Sequence, residues 1–471
     1  MTRPTKLHSS DSGIYTETLK HTLLMCSNVL GNNNKFYSLE IQKSKNGEYA
    51  LFSHYGRING DVVTGGIYEI RKDLSSEYIA TKEFNSILNK KKRGKKKTRA
   101  GTTYIESYQE VNVISSSVGS SNIKSKTSVV NKKNALNKEV FKDFGNTEQR
   151  LLKILEDENI HDITNSTTLT YTSNGLQTPL GPLTFTHLSK AKDVLEKISS
   201  EIKDLKQKTK VSNGLKLLNN EYLSLIPRNM GQRIIDSDLI ITGDKVIREY
   251  DLLNQMETAI QITDMKDSND SFELGFDIKL VNSEIHKQIE KQINKTRNHR
   301  NLDRFKVKRI YEVENHKERF AFEKYADSLQ VNKESRKNHK LDYKEVDLFH
   351  GSRNSNILSI LMNGFYVPPS NAPHVTGRMF GNGVYGADIS TKALNYSAGF
   401  WGGKANKNKS IFCFITRFAL GKVYESGSSL KSGVPSGYNS IFALGGYDLK
   451  NNEYIVPKTD QTTISYLVEF E

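Results

Sequence analysis

The chain has 471 residues, enough for roughly two to four domains with sizeable cores. Its two cysteines, Cys26 and Cys413, exclude a disulfide framework and a four-thiolate zinc site. No apolar run reaches the length of a transmembrane helix, so no membrane partner is expected, and the polar N-terminus predicts no secretory signal.

The net charge is +15, and residues 1–140 hold 23 Lys/Arg against 12 Asp/Glu, which is +11 of that total. Two readings fit the asymmetry: a polyanion bound mainly by the N-terminal part, or a solvated Lys-rich tail.

Residues 1–20 read as a flexible leader. Short β segments follow at Leu23–Cys26, Phe36–Ile41, Tyr49–His54 and Asp61–Ile70, separated by Asn/Gly turns. A helix is predicted from about Ser75 to Leu88, with Ala80, Phe84 and Leu88 on one face. It runs into Lys90-Lys-Lys-Arg-Gly-Lys-Lys-Lys-Thr-Arg99, a run that can neutralise phosphates or act as a nuclear-localisation patch. Residues 113–145 are rich in Ser, Asn and Lys and poor in large apolar residues, which predicts a linker.

Residues 146–267 read as an all-α module. Leu151, Leu152, Ile154 and Leu155 form one helical face, and Leu188, Ala191, Val194, Leu195 and Ile198 another. A third helix begins near Asp244 and ends with Ala259, Ile260 and Ile262. From 268 to 471 the pattern turns mixed α/β, with strands at Phe305–Val313, Ile411–Ile415 and Ile464–Phe470.

The densest chemistry lies in residues 347–396, where polar and aromatic side chains stand among glycines. Gly381-Asn-Gly383-Val-Tyr-Gly386 matches G-x-G-x-x-G, the dinucleotide-binding fingerprint. That reading fails on context: the upstream residues make a poor parallel strand, and no carboxylate stands about 20 positions on.

Three other pieces carry a resemblance when taken together. Leu-Phe-His350-Gly351-Ser352-Arg353, Met-Phe-Gly-Asn-Gly-Val-Tyr385-Gly-Ala-Asp388 and Asn452-Glu453-Tyr454-Ile-Val resemble the catalytic domain of the poly(ADP-ribose) polymerases. Upstream, Tyr55-Gly56-Arg57 in its β segments is similar to the WGR domain, with Tyr where the family has Trp. Thr178-Pro-Leu-Gly-Pro-Leu-Thr184 and Glu221-Tyr-Leu-Ser-Leu-Ile-Pro227 resemble the helical regulatory domain. The resemblance implies a β-rich WGR domain with one helix at 21–112, an all-α regulatory domain at 146–267 and an α+β ADP-ribosyltransferase domain at 268–471.

It also implies an activity: transfer of ADP-ribose from NAD, a consumed substrate, to acceptor proteins including the chain itself. Damaged DNA ends or nicks would be the stimulus, the nucleus the location, and no metal would be needed. The bond broken is a glycosidic C–N bond, so a carboxylate near the ribose stabilises an oxocarbenium-like transition state. The family's triad falls on His350, Tyr385 and Glu453. Glu453 takes the carboxylate role, and His350 hydrogen-bonds the adenine-side ribose. Tyr385 and Tyr396 flank the nicotinamide ring. Gly351 offers its backbone to the carboxamide, while Ser352 and Asn356 contact the adenosine side. Tyr55 and Arg57 are the implied DNA contacts.

The chain also departs from the pattern. Ala393 stands where the family has a carboxamide-binding Ser, Tyr366 where it has an adenosine-facing Arg, and the loop from Pro368 to Thr376 is longer. These departures leave a second reading, a catalytically weak DNA-end-binding scaffold.

Overall fold

The computed structural model describes residues 4–8, 11, 14–28, 33–59, 62–99, 102–111, 140–172, 175–178, 181–203, 211–228, 238–267, 274–297, 305–331, 339–368, 379–398 and 410–471. The expected linker falls outside them up to residue 139, and the long loop after Pro368 falls outside them as well. The chain forms two units, residues 1–136 with 163–249, and residues 137–162 with 250–471.

The first unit opens with strands β1 (Thr5–Lys6), β2 (Tyr15–Asn28), β3 (Asn33–Ser44), β4 (Tyr49–Asn59) and β5 (Val62–Leu74). Helix α1 (Glu77–Arg93) follows, then a hairpin of β6 (Lys95–Arg99) and β7 (Thr102–Glu106), then β8 (Gln109–Val111). The large sheet runs β1-β5-β4-β3-β2-β8, antiparallel throughout. Residues 15–20, expected in a flexible leader, instead open β2, and Thr5–Lys6 pair with Ile70 and Glu69 of β5. Within the mostly polar run Tyr-Thr-Glu-Thr-Leu-Lys that opens β2, only Tyr15 is buried, so no apolar alternation marks it as strand.

Helix α1 starts where Ser76 accepts from the Ile79 N–H, and it buries Ala80 and Phe84. These join Leu24, Tyr37, Leu39, Ile41 and Leu51 of the sheet in one apolar cluster. The predicted helix stops short: α1 continues through Lys90–Arg93, whose charges complement the helix C-terminus. Gly94, at φ 74°, ends it, and a Cβ there would lie 2.6 Å from the Glu106 carbonyl oxygen.

The helical stretch begins with α2 (Asn146–Ser166). A small sheet follows, of β9 (Thr170–Thr172), β10 (Gly175–Thr178) and β11 (Gly181–Pro182), so the module is not wholly helical. Then come α3 (Phe185–Lys203), α4 (Asn213–Leu225) and α5 (Gly243–Asp267). Helices α3 and α4 pack together in the first unit, burying Leu188, Leu195, Leu215 and Tyr222. The division into units passes through α2 and α5 rather than at their ends.

The second unit continues with β12 (Phe276–Leu280), α6 (Ser283–Lys295), β13 (Val307–Asn315), α7 (His316–Val331), β14 (Glu345–Gly351) and α8 (Asn354–Asn363). It ends with β15 (Val384–Gly386), α9 (Ser390–Ser397), β16 (Ile411–Ala419), β17 (Val423–Ser426), β18 (Ser440–Ala443), β19 (Glu453–Val456) and β20 (Thr462–Phe470). One sheet is ordered β12-β13-β20-β16-β14 and a second β15-β19-β18-β17. An antiparallel bridge from Phe349 to Ala387 links them. The main core joins Leu151, Leu152 and Leu155 of α2 and Ile262 of α5 to Leu348, Phe412, Phe414 and Leu467.

Candidate active site and nucleic-acid interface

Strand β14 is held by its apolar pair: Leu348 and Phe349 are buried, and the strand pairs with the almost wholly buried β16. His350 follows directly. Its Nδ1–H donates to the Tyr385 carbonyl oxygen across 2.7 Å. Burial holds the imidazole pKa below its ordinary value, so the ring is neutral and Nε2 presents a lone pair. A neutral imidazole in this tautomer accepts a hydrogen bond, as from a ribose hydroxyl.

Tyr385 lies on β15, which pairs with β19 in a register that sets Tyr385 opposite Ile455 and Gly386 opposite Tyr454. Glu453 opens β19 one residue earlier. The triad is thus spread over three neighbouring strands, β14, β15 and β19. The Tyr385 hydroxyl donates to the Gly381 carbonyl (2.6 Å) and accepts from the Phe380 N–H (3.1 Å). Tied at its tip, the ring can serve as a rigid wall.

Glu453 is only 4% exposed, and burial raises its pKa above the usual carboxylate range. The opposing pull comes from Lys392 of α9, whose ammonium lies 2.5 Å from Glu453 Oε1. No local sequence signal marks Lys392, because its partner stands 61 positions on and only the fold joins them. Asn452 fixes the strand start: it donates to Asp388 (2.8 Å) and accepts from the Gly445 N–H (2.9 Å).

Helix α9 reaches the site because Gly351 lets it approach. A Cβ at Gly351 would lie 1.9 Å from the Ala393 carbonyl oxygen. Ala393 is buried and belongs to the apolar cluster of Phe349, Cys413 and Val468. Tyr396, one turn on from Lys392, is 36% exposed, and its phenol is pushed up to about 12 by desolvation and then by the Glu453 charge. A flat, half-open ring beside a buried carboxylate can cover one side of a bound aromatic ring.

Asn356, near the start of α8, donates to Ser352 Oγ at 3.5 Å and accepts from Gln255 Nε2 of α5 at 2.6 Å. Tyr366 faces Tyr250 of α5, ring centroids 5.4 Å apart. A separate polar cleft of about 440 Å³ is lined by Glu312, Glu323, Asp327, Glu345 and Arg417, and none of the residues above lines it.

In the first unit, the Tyr55 ring stacks on Tyr37, centroids 5.3 Å apart and planes 15° apart, and its hydroxyl donates to Glu69 Oε1 (2.9 Å). One ring face is therefore already covered. Arg57 is exposed on the same strand. The basic run divides between helix and hairpin, and it is partly paired: Lys92 with Glu110 (2.6 Å), Lys97 with Glu106 (2.9 Å).

Comparisons with known proteins match three consecutive regions. The poly(ADP-ribose) polymerase catalytic domain matches residues 283–446, the poly(ADP-ribose) polymerase regulatory domain 146–274, and the WGR domain 21–101. The chain is 24% identical to poly [ADP-ribose] polymerase 1 of Arabidopsis thaliana, over 94% of this chain and 43% of that protein. It is 25% identical to poly [ADP-ribose] polymerase 2-B of Oryza sativa subsp. japonica, over 97% of this chain and 72% of that one. It is 29% identical to a putative poly [ADP-ribose] polymerase-like protein, 100L, of Invertebrate iridescent virus 6, over 34% of this chain and 83% of that one. The chain thus spans from about two fifths to about seven tenths of the plant relatives' length.

Proposed function

Because the chain belongs to the poly(ADP-ribose) polymerase family, we propose that it transfers ADP-ribose from NAD to acceptor proteins, itself among them, and that broken DNA stimulates the transfer. The observation that carries this reading is the buried Glu453 with Lys392 at 2.5 Å, on a strand registered beside Tyr385.

In this reading NAD is substrate. Its nicotinamide lies between Tyr385 and Tyr396, with the carboxamide on the Gly351 backbone. His350 Nε2 accepts from a hydroxyl of the adenine-side ribose and so fixes the sugar's position. Glu453 stabilises positive charge as the C–N bond breaks and its electron pair leaves with nicotinamide. The acceptor oxygen, its hydroxyl oriented by Glu453, then bonds to the same carbon and gives up its proton to the carboxylate. Ser352 and Asn356 hold the adenosine end.

The WGR region is the DNA-binding part, through Arg57, the Tyr55 ring and the exposed lysines of α1 and β6. The same lysine run supports a nuclear location. Helix α5 is the relay. Glu249 is hydrogen-bonded by Tyr222 in the first unit, and Gln255 and Thr258 bond Asn356 and Ser359 in the second. Broken DNA would favour a state in which those last bonds are released, and only to the extent that it binds that state better.

Incubation of the purified chain with labelled NAD, with and without nicked DNA, tests the proposal. Label on protein that rises with nicked DNA is expected. Nicotinamide release absent under both conditions, with DNA ends still bound, would favour the scaffold instead.

A further inference from the structure

Helix α1 ends with a lysine in an unusual place. The Lys91 ammonium lies 3.7 Å from the ring centroid of Tyr37, 5.1 Å from that of Tyr108 and 5.8 Å from that of Tyr55. The neighbouring Lys90, Lys92 and Arg93 are exposed, as long cationic side chains usually are. Among the described residues, Lys91 Nζ has no carboxylate within ion-pair distance. Its neighbours are ring faces, whose quadrupoles attract a cation.

The rings form one assembly. Tyr37 and Tyr55 are direct cross-strand partners and lie parallel. Tyr108 meets Tyr37 edge-on at 6.5 Å, and its N–H donates to the Lys91 carbonyl oxygen. The residue that closes the cage is thus bonded to the residue that fills it. Tyr55 is the only one of the three rings left half-exposed; Tyr37 and Tyr108 are buried.

We propose that Lys91 is a positioning residue for DNA-end binding: its ammonium, seated on Tyr37 and Tyr108, fixes the Tyr55 ring as the flat platform for the terminal nucleotide. The proposal rests on the reading of the first unit as the DNA-end-binding part. It gives Lys91 a task different from its exposed neighbours, which meet phosphates directly.

The cage also sets a pH dependence. Burial lowers the Lys91 ammonium to about 8. Glu106 and Glu69 face it and favour the charge, while Lys95 and Lys35 oppose it. The other groups of the cage stay neutral in this range: the Tyr55 phenol and the Cys26 thiol are pushed up to about 12, and burial raises the phenols of Tyr37 and Tyr108 too. The cation is therefore present below pH 8 and lost above it, and the platform loosens as pH rises.

The test uses the full chain at fixed salt, with a fluorescent nicked duplex and a closed circular duplex as probes, between pH 6.5 and 9.5. The expected results are these. Lys91→Met weakens binding to the nick by about two- to fivefold, the worth of a cation–π contact, and weakens binding to the closed circle less. Wild-type preference for the nick declines through pH 8, whereas that of Lys91→Met is flat. Lys91→Arg keeps its charge, restores nick binding and flattens the decline. Equal losses on both probes, or a Lys91→Met profile that still declines, overturn the proposal and leave Lys91 a phosphate contact. Loss of binding by Lys91→Arg equal to that of Lys91→Met overturns it too. No wild-type preference for the nick at any pH overturns instead the DNA-end reading beneath it.

Discussion

Gln255 Nε2 donates to Asn356 Oδ1 across 2.6 Å, so a side chain of α5 occupies an acceptor on the adenosine side of the proposed NAD site. The same amide reaches Asp162 Oδ2 (2.9 Å) and Ser355 Oγ (3.2 Å). If NAD uses Asn356, it must displace this contact. A neutral hydrogen bond is worth ~0.5–1.5 kcal/mol. Gln255→Ala is therefore expected to lower the KM for NAD about two- to tenfold without DNA, with kcat less affected. Initial rates over a range of NAD concentrations check this, and an unchanged KM would separate Asn356 from the substrate.

This point substitution is a cleaner probe of inhibition than removal of the whole helical region. Leu151, Leu152, Leu155 and Ile262 belong to the core that also contains Leu348 and Phe412. Deleting residues 146–265 would strip them from it and expose apolar surface, so an inactive deletion would say nothing about control.

Glu453→Gln keeps shape and burial but removes the charge. Transfer is expected to fall about 10²–10³-fold, the usual cost of losing one electrostatic stabiliser of a transition state. NAD binding, measured by titration calorimetry, should change little. A mutant that transfers at the wild-type rate would remove Glu453 from the chemistry.

Lys392 acts on Glu453 in the opposite sense to burial, which raises the carboxyl pKa while the ammonium lowers it. In the proposed reaction the charged form is the working one, so activity is expected to be lost as pH falls through the folded pKa. Lys392→Met removes the lowering effect, and the acid limb of kcat/KM should then move to higher pH. A limb that stays in place, or moves down, would mean that another group sets it.

How much of this was legible in the sequence follows from which signals are local. The strands β3 to β5 and helix α1 announced themselves by alternation, Asn/Gly turns and the Ala80–Phe84 spacing. The strands β9 to β11 did not, because elements of two to four residues carry no period. Helix α4 shows in the sequence only through the motif Glu221–Pro227, although Leu215, Tyr222 and Leu223 are buried along it. His350, Tyr385 and Glu453 stand out by their motifs as candidates, but the tautomer of His350 depends on a carbonyl 35 residues away. Lys392 and the Tyr55–Tyr37 stack depend on register, which no single segment records. The basic run looked uniform, yet Lys91 turns inward while Lys92 pairs with Glu110.

Gly351→Ala tests the approach of α9. The new methyl would meet backbone, not a flexible side chain, at 1.9 Å from the Ala393 oxygen. Overpacking of this kind costs about 1–3 kcal/mol. The thermal transition should drop by roughly 2–12 °C in calorimetry, and NAD binding should weaken together with it. A variant as stable as wild type would show that α9 shifts freely, and Lys392 and Tyr396 would then not be held in place by Gly351.

The proposed relay can be interrupted away from both proposed ligands. Within the first unit, the Ser27 N–H of β2 donates to Ser224 Oγ of α4 (3.1 Å), and Ser27 Oγ donates to the Leu223 carbonyl (3.4 Å). These residues are buried, so the contact is not weakened by water. Tyr222 of the same helix donates to Glu249 of α5 (2.9 Å), so within the first unit α4 bonds both to β2 and to the first part of α5. Ser224→Ala removes the acceptor of the Ser27 N–H, at ~0.5–1.5 kcal/mol, and touches neither the Tyr55 platform nor the Glu453 pocket. Binding to a nicked duplex is expected to stay within about twofold of wild type, while stimulation of transfer by that duplex falls severalfold. Arg57→Ala should behave differently, losing nick affinity and stimulation together, with a weaker salt dependence of binding. Full stimulation in Ser224→Ala would mean that DNA binding is communicated by a route that bypasses α4.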